Sequence, residues 1–416
     1  MPLIPGKLAS APAASQEPIR GELFSIERLE ERAEELATQH RLADGVRGGI
    51  PLTPRLLENE RVLLECHRAL AAAIVEERAI TPAAEWLVDN FHVVREQLRE
   101  IREDLPAGFY RELPKLAEGP LGGYPRVYGL AWEFIAHTDS RLEPETLGRF
   151  VRAYQRRGAL TMGEIWAVAI VLRVALVENL RRLAEQIVQR RAARGEADAL
   201  ADALLGVSGT PAEPPQRVLR RYDALPFSES FAVHLIHRLR DQEPAGALAL
   251  QWLDERLLAA GTTVDASVRA EHQRQAATNV TVRNVITSMR LMSALDWTEF
   301  FESVSLVEQE LRLDPGYRAM DFATRDRYRH AVEELARGTG RTELEVAGHA
   351  LQRARAAAQA LGEDSHQADP GYSLISDGRY ALERDLGFRV SPKTRLLRAY
   401  LGAATPGYVG TIVLLT

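Results

Sequence analysis

Residues 109–140 combine aromatic rings, fixed charges, glycines and prolines more densely than any other stretch of the chain. Cations in this block could hold a phosphate or an acidic membrane-side surface through charge-assisted hydrogen bonds. Its aromatic rings could stack on a sugar, and its tyrosines could also donate hydrogen bonds. The candidate ligand or partner contacts are Tyr110, Arg111, Lys115, Tyr124, Arg126, Tyr128, Trp132, His137 and Asp139. The alternative is a packed loop between helices, with arginines paired internally to Glu112 and Glu118.

His137 and Asp139 are spaced so that the carboxylate could orient a histidine base. No Ser or Cys nucleophile in an elbow-like setting accompanies them, and a helix-end cap by Asp139 and Ser140 is the alternative. The glycines of 119–123 lack the following lysine and the preceding strand of a phosphate-binding loop, so we predict a turn there. We therefore predict no catalytic residue.

A second cluster of rings and carboxylates occupies residues 296–302. Asp296 could accept hydrogen bonds from sugar hydroxyls while Trp297 packs against the sugar ring. The rings at 297, 300 and 301 also follow helical spacing, which favours a place in a helical core. Asp296 and Trp297 are therefore secondary candidates.

Two histidines, His234 and His237, lie one helical turn apart with Glu229 just upstream. A metal site needs a third ligand at a matching position, and no His-Glu-x-x-His pattern is present. We interpret these histidines as part of a partly buried helix face and predict no metal site.

Helix signals recur along the chain with few strand signals to compete. Thr81 and Pro82 are typical of a helix start, and the apolar pattern then continues to Arg102. Capping boxes begin at Thr161 and at Thr342. The first opens the most apolar helix, 165–187, whose continuous apolar part is too short for a membrane span and predicts a buried helix. A long amphipathic helix is predicted over 265–292.

These patterns predict an all-α fold, arranged as a two-lobed multi-helix bundle or a solenoid-like stack. Glycines and prolines concentrate at 206–216, which we interpret as a linker between the lobes. The predicted segments are a disordered lead-in at 1–22, an N-terminal lobe at 23–205, the linker at 206–216, a second lobe at 217–361 and a membrane-proximal segment at 362–398. The last of these opens with a polar loop at 362–371.

Composition is ordinary for a soluble protein, with a net charge of -6 over 416 residues. A charge this small does not suggest a nucleic-acid partner. The single cysteine, Cys66, excludes an internal disulfide and lies in an apolar pattern, which favours a buried thiol in a reducing compartment.

The last eighteen residues, 399–416, carry no charge. Their length is close to the minimum for a membrane span, and Lys393, Arg395 and Arg398 precede them as expected of a cytoplasmic flank. A buried C-terminal helix is the alternative. We predict the start of a truncated transmembrane helix.

Several motifs resemble the N-terminal region of the bacterial cyclic β-1,2-glucan synthases. Examples are Tyr-Arg-Glu-Leu-Pro-Lys-Leu at 110–116 and Tyr-Pro-Arg-Val-Tyr-Gly-Leu at 124–130. Further matching segments lie at 82–86, 89–91, 136–140, 160–183, 271–275, 294–297 and 320–330. The resemblance runs from about residue 18 to the C-terminus, with the motifs in the family's order.

The resemblance implies a large inner-membrane enzyme that uses UDP-glucose and a divalent metal to build a protein-linked β-1,2-glucan and close it into a ring. Glycosyltransferase, membrane and phosphorylase-like modules would follow this region in the same polypeptide. The family's Asp-x-Asp and Gln-x-x-Arg-Trp motifs are absent from these residues. We therefore expect a region at the cytoplasmic face of the inner membrane, without catalytic modules or cofactors of its own.

Two functions remain open at this point. One is an accessory or scaffold region that supports or regulates the glycosyltransferase. The other is a carbohydrate- or nucleotide-binding module that contacts the nascent β-1,2-glucan or UDP-glucose.

Overall fold

The computed structural model describes residues 17–43, 49–76, 80–104, 107–207, 214–223, 228–240 and 245–389. These residues form nineteen α-helices and one short 3-10 helix, His366–Ala368, and no β-strand occurs among them. The predicted all-α fold is confirmed. The predicted membrane segment at 399–416 lies outside the described residues, as do most of the lead-in and residues 208–213 of the linker.

The first twelve helices are α1 (Ile26–Gln39), α2 (Leu52–Val75), α3 (Pro82–Asp89), α4 (Phe91–Asp104), α5 (Ala107–Glu112), α6 (Arg126–His137), α7 (Pro144–Gln155), α8 (Met162–Leu205), α9 (Pro215–Arg220), α10 (Glu229–Leu239), α11 (Ala245–Ala259) and α12 (Val264–Ala294). The other seven are α13 (Trp297–Val304), α14 (Leu306–Leu311), α15 (Pro315–Ala319), α16 (Phe322–Thr339), α17 (Glu343–Leu361), α18 (Pro370–Ile375) and α19 (Arg379–Leu386).

Helix starts follow the capping residues in the sequence. The Thr81 hydroxyl accepts a hydrogen bond from the Ala84 amide at the start of α3. Thr342 forms a complete capping box with Glu345 at α17, and the Thr161 box opens α8. These predicted starts are confirmed. They could be predicted because each depends on residues only three positions apart.

The helix predicted from 82 to 102 is interrupted, and this expectation was wrong. It divides at Asn90 into α3 and α4. The Asn90 side chain donates to the Trp86 carbonyl at 2.7 Å and accepts from Arg290 of α12. Asparagine competes in this way with the helical hydrogen bonds of its own backbone. The pattern of apolar residues therefore continues past Asn90, although the helix is interrupted there.

The apolar segment at 165–187 forms part of α8, which is 44 residues long and largely buried along that segment. The prediction of a buried helix is confirmed. Among the described residues, no helix combines the length and apolar character that crossing a membrane requires.

The chain divides into two compact units. Unit 1 comprises Met1–Gly158 and Trp166–Trp297, and unit 2 comprises Ala159–Ile165 and Thr298–Thr416. The division near 297 does not coincide with the linker predicted at 206–216. The apolar faces of α8 to α11 explain this, because residues on either side of that linker share one hydrophobic cluster within unit 1.

Within unit 2, α17 packs against α14, α16 and α18. The polar loop predicted at 362–371 contains the short 3-10 helix and the first residues of α18. Proline at 370 suits this start, because its fixed φ is already helical and its missing N–H would have had no partner.

Candidate functional site

The tyrosines of the 109–140 block face the protein interior. Tyr110, Tyr124 and Tyr128 are 7%, 4% and 1% exposed. Helix α6 places Tyr128 and Trp132 one turn apart, so their rings meet at 6.0 Å, and Tyr124 lies 5.4 Å from Tyr128. These rings pack against one another and neighbouring helices, which favours the packed-loop alternative.

Two of the three candidate cations are also buried. The Lys115 ammonium donates to the carbonyls of Tyr110 and Leu113 at 2.5 and 2.7 Å. The Arg126 guanidinium, only 7% exposed, lies over the Tyr154 ring. Arg111 alone among the three is exposed to solvent. Lys115 and Arg126 therefore stabilise the fold of the block itself.

The turn predicted at 119–123 is confirmed. Gly123 has a φ of +83°, which a side chain would strain, and a Cβ there would lie 3.1 Å from Ile50. The Gly123 carbonyl accepts from the Ile50 amide at 2.8 Å. The turn is therefore fixed against a distant segment, with its backbone hydrogen bonds made to protein.

A buried ionic cluster lies beside these rings and was not predicted. The Glu178 carboxylate, on α8, accepts from Arg55 at 2.5 Å, Arg182 at 2.7 Å and Asn59 at 2.8 Å. Arg181 adds a longer bond of 3.3 Å. Burial alone would raise the pKa of Glu178, but the three guanidinium groups outweigh it and hold the pKa at about 2. The sequence signal was Glu178 followed by arginines three and four positions later.

The rings of Tyr124, Tyr128 and Trp132 form a row beside this cluster. The Arg182 guanidinium lies 4.9 Å from the centre of the Trp132 ring, within cation–π range. The Tyr128 hydroxyl is buried without a hydrogen-bond partner among the described residues. Burial, and then the nearby charge of Glu178, raise the pKa of Tyr128 well above its usual range. This tyrosine is therefore kept neutral inside unit 1.

His137 and Asp139 lie at a sharp corner after α6 but have different partners. The His137 Nδ1 atom lies 2.7 Å from the Glu22 carbonyl, and its ring stacks on Phe24. The Asp139 carboxylate accepts from Thr281 at 2.6 Å and from Asn284 at 3.1 Å. The two do not form a base and its orienting acid.

The corner holds two successive residues with left-handed backbone. Asp139 and Ser140 have φ values of 50° and 61°, which cost energy in residues other than glycine. Asn179 donates to the Ser140 hydroxyl, and Ser288 donates to the Ser140 carbonyl, each at 2.8 Å. These bonds to α8 and α12 hold the strained corner in place.

Four polar residues continue along the same face of α12, which we name the polar seam. The seam comprises Glu271, Thr278, Thr281 and Ser288, all buried. Their spacing of seven, three and seven residues matches one side of an α-helix. The seam therefore runs from the corner at Asp139 and Ser140, which Ser288 contacts, to Glu271, about five helical turns away along α12.

A groove of about 440 Å³ lies at the far end of the polar seam, inside unit 1. Its walls come from α8, α10 and α12, and we name it the α8–α12 groove. The polar residues that line it include Gln186, Gln189, Arg190, Ser230, Glu271 and Arg274. Sequence reasoning missed it, although Glu271 and Arg274 lie in the 271–275 motif.

The secondary candidates lie elsewhere. Asp296 is exposed, and the Trp297 indole donates to the Met292 carbonyl at 3.0 Å. His234 contacts Asp198 at 2.9 Å, and His237 stacks with His272. In the described part of the chain, no three His, Cys, Asp or Glu side chains are grouped to hold a metal ion. Whether any residue named from the sequence contacts a ligand or partner stays a prediction.

Comparison with known proteins gives these observations a family context. Along nearly its whole length the chain is similar to part of a bacterial cyclic glucan synthase. That relative is the cyclic beta-(1,2)-glucan synthase NdvB of Rhizobium meliloti (strain 1021), 36% identical over 403 residues. The match covers 96% of this chain but only 14% of NdvB. The resemblance predicted from the motifs is thereby confirmed. No protein-family model matches the chain.

Proposed function

We propose that this chain is a helical accessory region of a cyclic β-1,2-glucan synthase, and that it scaffolds or regulates the glycosyltransferase of the same polypeptide. The similarity to NdvB over 96% of the chain supports a place within such an enzyme. The short share of NdvB that is matched, 14%, leaves ample length for transferase and membrane modules.

The observation that carries the accessory role is the burial of the 109–140 block. Its tyrosines and two of its cations are at most 7% exposed and contact other residues of unit 1. Side chains used in this way give a surface a fixed shape, and rigid surfaces suit docking to another module. Arg111, on the exposed side of α5, is the cation of this block best placed to contact that module.

The wider properties belong to the same proposal. UDP-glucose and a divalent metal would be used by the transferase module, and catalysis would occur outside this chain. The region would lie at the cytoplasmic face of the inner membrane. Its partners would be the other modules of the polypeptide and the growing glucan.

The decisive experiment uses the complete synthase. We expect Arg111→Ala to lower glucan formation from UDP-glucose at least about tenfold, roughly the loss of one charged hydrogen bond. Arg68→Ala, which removes an exposed arginine of α2, is the matched control and should leave the rate unchanged. Arg126→Ala is less informative, because this buried arginine also packs on Tyr154.

Two results would contradict the proposal. One is unchanged synthase activity and assembly in Arg111→Ala. The other is transfer of glucose from UDP-glucose by the 416-residue chain alone, in the presence of Mg²⁺ or Mn²⁺.

A further inference from the structure

The α8–α12 groove contains polar side chains that the fold does not use. Gln186 and Gln189 make no side-chain hydrogen bond to the described residues, although both line the groove. Arg190 makes one long hydrogen bond, 3.4 Å to the Thr278 hydroxyl, and no ion pair with a described carboxylate. Because a guanidinium has five N–H donors, Arg190 keeps donors that a ligand in the groove could use.

The charges around Arg190 also favour a ligand in the groove. Burial, together with the positive charges of Arg274, Arg194 and Arg20, lowers the pKa of Arg190, and Glu271 opposes this only in part. A hydrogen-bond acceptor in the groove would relieve the cost of burying this cation.

Acceptors are present in the groove as well. The Glu271 carboxylate takes one hydrogen bond, from Ser230 at 2.8 Å, and Glu229 pairs with Arg274. Glu196 adds a third carboxylate to the lining. Four arginines act at the groove, and Arg274 and Arg20 among them are paired with Glu229 and Asp139. Glu196 and Glu271 balance the charges of the other two, so no net positive charge is left to hold a phosphate or another anion. A neutral ligand with many hydroxyls fits better, since each hydroxyl both donates and accepts.

We propose that the α8–α12 groove binds a neutral saccharide, through Arg190 and the two glutamines as donors and Glu271 as acceptor. The proposal rests on the proposed function for the identity of the sugar, a short stretch of β-1,2-linked glucan. A volume of about 440 Å³ is within the range of small-molecule sites and suits a few sugar units.

The test uses the 416-residue chain with sophorose and linear β-1,2-glucotriose as probes. Saturation-transfer NMR detects the contact, and titration calorimetry measures the dissociation constant. UDP and inorganic phosphate serve as anionic probes. We expect saturable saccharide binding that Gln189→Ala and Arg190→Gln each weaken about tenfold. Gln251→Ala, on the exposed face of α11, is the matched control and should bind as the wild type does.

Three outcomes would overturn the proposal. They are the absence of saturable binding to folded wild-type chain, equal binding by the groove variants, and binding of UDP or phosphate without saccharide. If Arg190→Gln fails to fold by circular dichroism, the exposed Gln189→Ala variant decides the question. If the chain binds sugar but Arg111→Ala leaves the synthase active, the groove proposal stands and the scaffold role is rejected. If the chain binds no sugar but Arg111→Ala lowers synthase activity, the scaffold role stands and the groove proposal is rejected.

Discussion

Replacing Glu178 by glutamine tests how much the buried ionic cluster stabilises unit 1. Glutamine keeps the size of the side chain and one acceptor oxygen but removes the negative charge. The guanidinium groups of Arg55 and Arg182 would then lose their carboxylate partner, while Arg181 would keep its pair with Glu185. Breaking a buried pair in this way costs more than the pair contributed, because the remaining charges stay buried.

The magnitude follows from the pKa. The cluster holds the pKa of Glu178 at about 2 instead of the ordinary 4.5. One pKa unit corresponds to about 1.36 kcal/mol, so the ionised form stabilises the folded state by about 3 kcal/mol at neutral pH. Because the folded-state pKa is depressed, this stability is fully present above pH 4.5 and is lost as the pH falls toward 2.

Tryptophan fluorescence during urea unfolding is the appropriate assay, because all five tryptophans belong to unit 1. We expect Glu178→Gln to lower the free energy of unfolding by about 3 kcal/mol at pH 7, and by about half of that at pH 3. Glu65→Gln, on an exposed pair of α2, is the matched control and should change it by less than about 1 kcal/mol. A loss below about 1 kcal/mol in Glu178→Gln, or the same loss at both pH values, would refute the reasoning.

Three further predictions concern single side chains. Burial, with repulsion from nearby glutamates, raises the pKa of Glu343 to about 7, so its contribution to unit 2 is present below pH 4.5 and is lost as the pH rises through 7. At pH 8, Glu343→Gln should therefore raise the free energy of opening of α17, measured by amide exchange, by up to about 3 kcal/mol relative to wild type. At pH 4.5 it should leave that free energy unchanged, and an equal effect of the substitution at both pH values would contradict this. Tyr128→Phe should leave the free energy of unfolding within about 1 kcal/mol of wild type, or raise it, because the lost hydroxyl has no partner. In urea unfolding Asp139→Ala should cost about 2 kcal/mol, and Asp139→Gly about 1 kcal/mol less than Asp139→Ala, because glycine accepts a φ of 50°. Equal stability of the two variants would count against the left-handed backbone at 139.

The helices were largely predictable, and the reason is the short range of their signals. A capping box such as Thr342 with Glu345 joins residues three apart, and the pattern of α12 spans a single segment. Asn90 marks the limit of this reasoning. Its side-chain bond to Trp86 is local, but its contact with Arg290 joins residues 200 positions apart.

The candidate site was less predictable, because burial is not a local property. The types of residue in the 109–140 block suit ligand binding and internal packing equally well. Only the fold shows that Lys115 bonds to carbonyls of its own loop. The α8–α12 groove was missed because its walls come from three helices separated by long stretches of chain.

The sequence by itself determined the helical class, the starts of helices such as α3, α8 and α17, and the resemblance to cyclic β-1,2-glucan synthases, since composition, capping residues and motifs are written along the chain. The tertiary structure decided which rings are buried, that the unit boundary falls near 297, and that Glu178 meets Arg55 from 123 positions away. The physical reason is that the free energy of burying a ring or pairing a charge depends on what the fold places beside it.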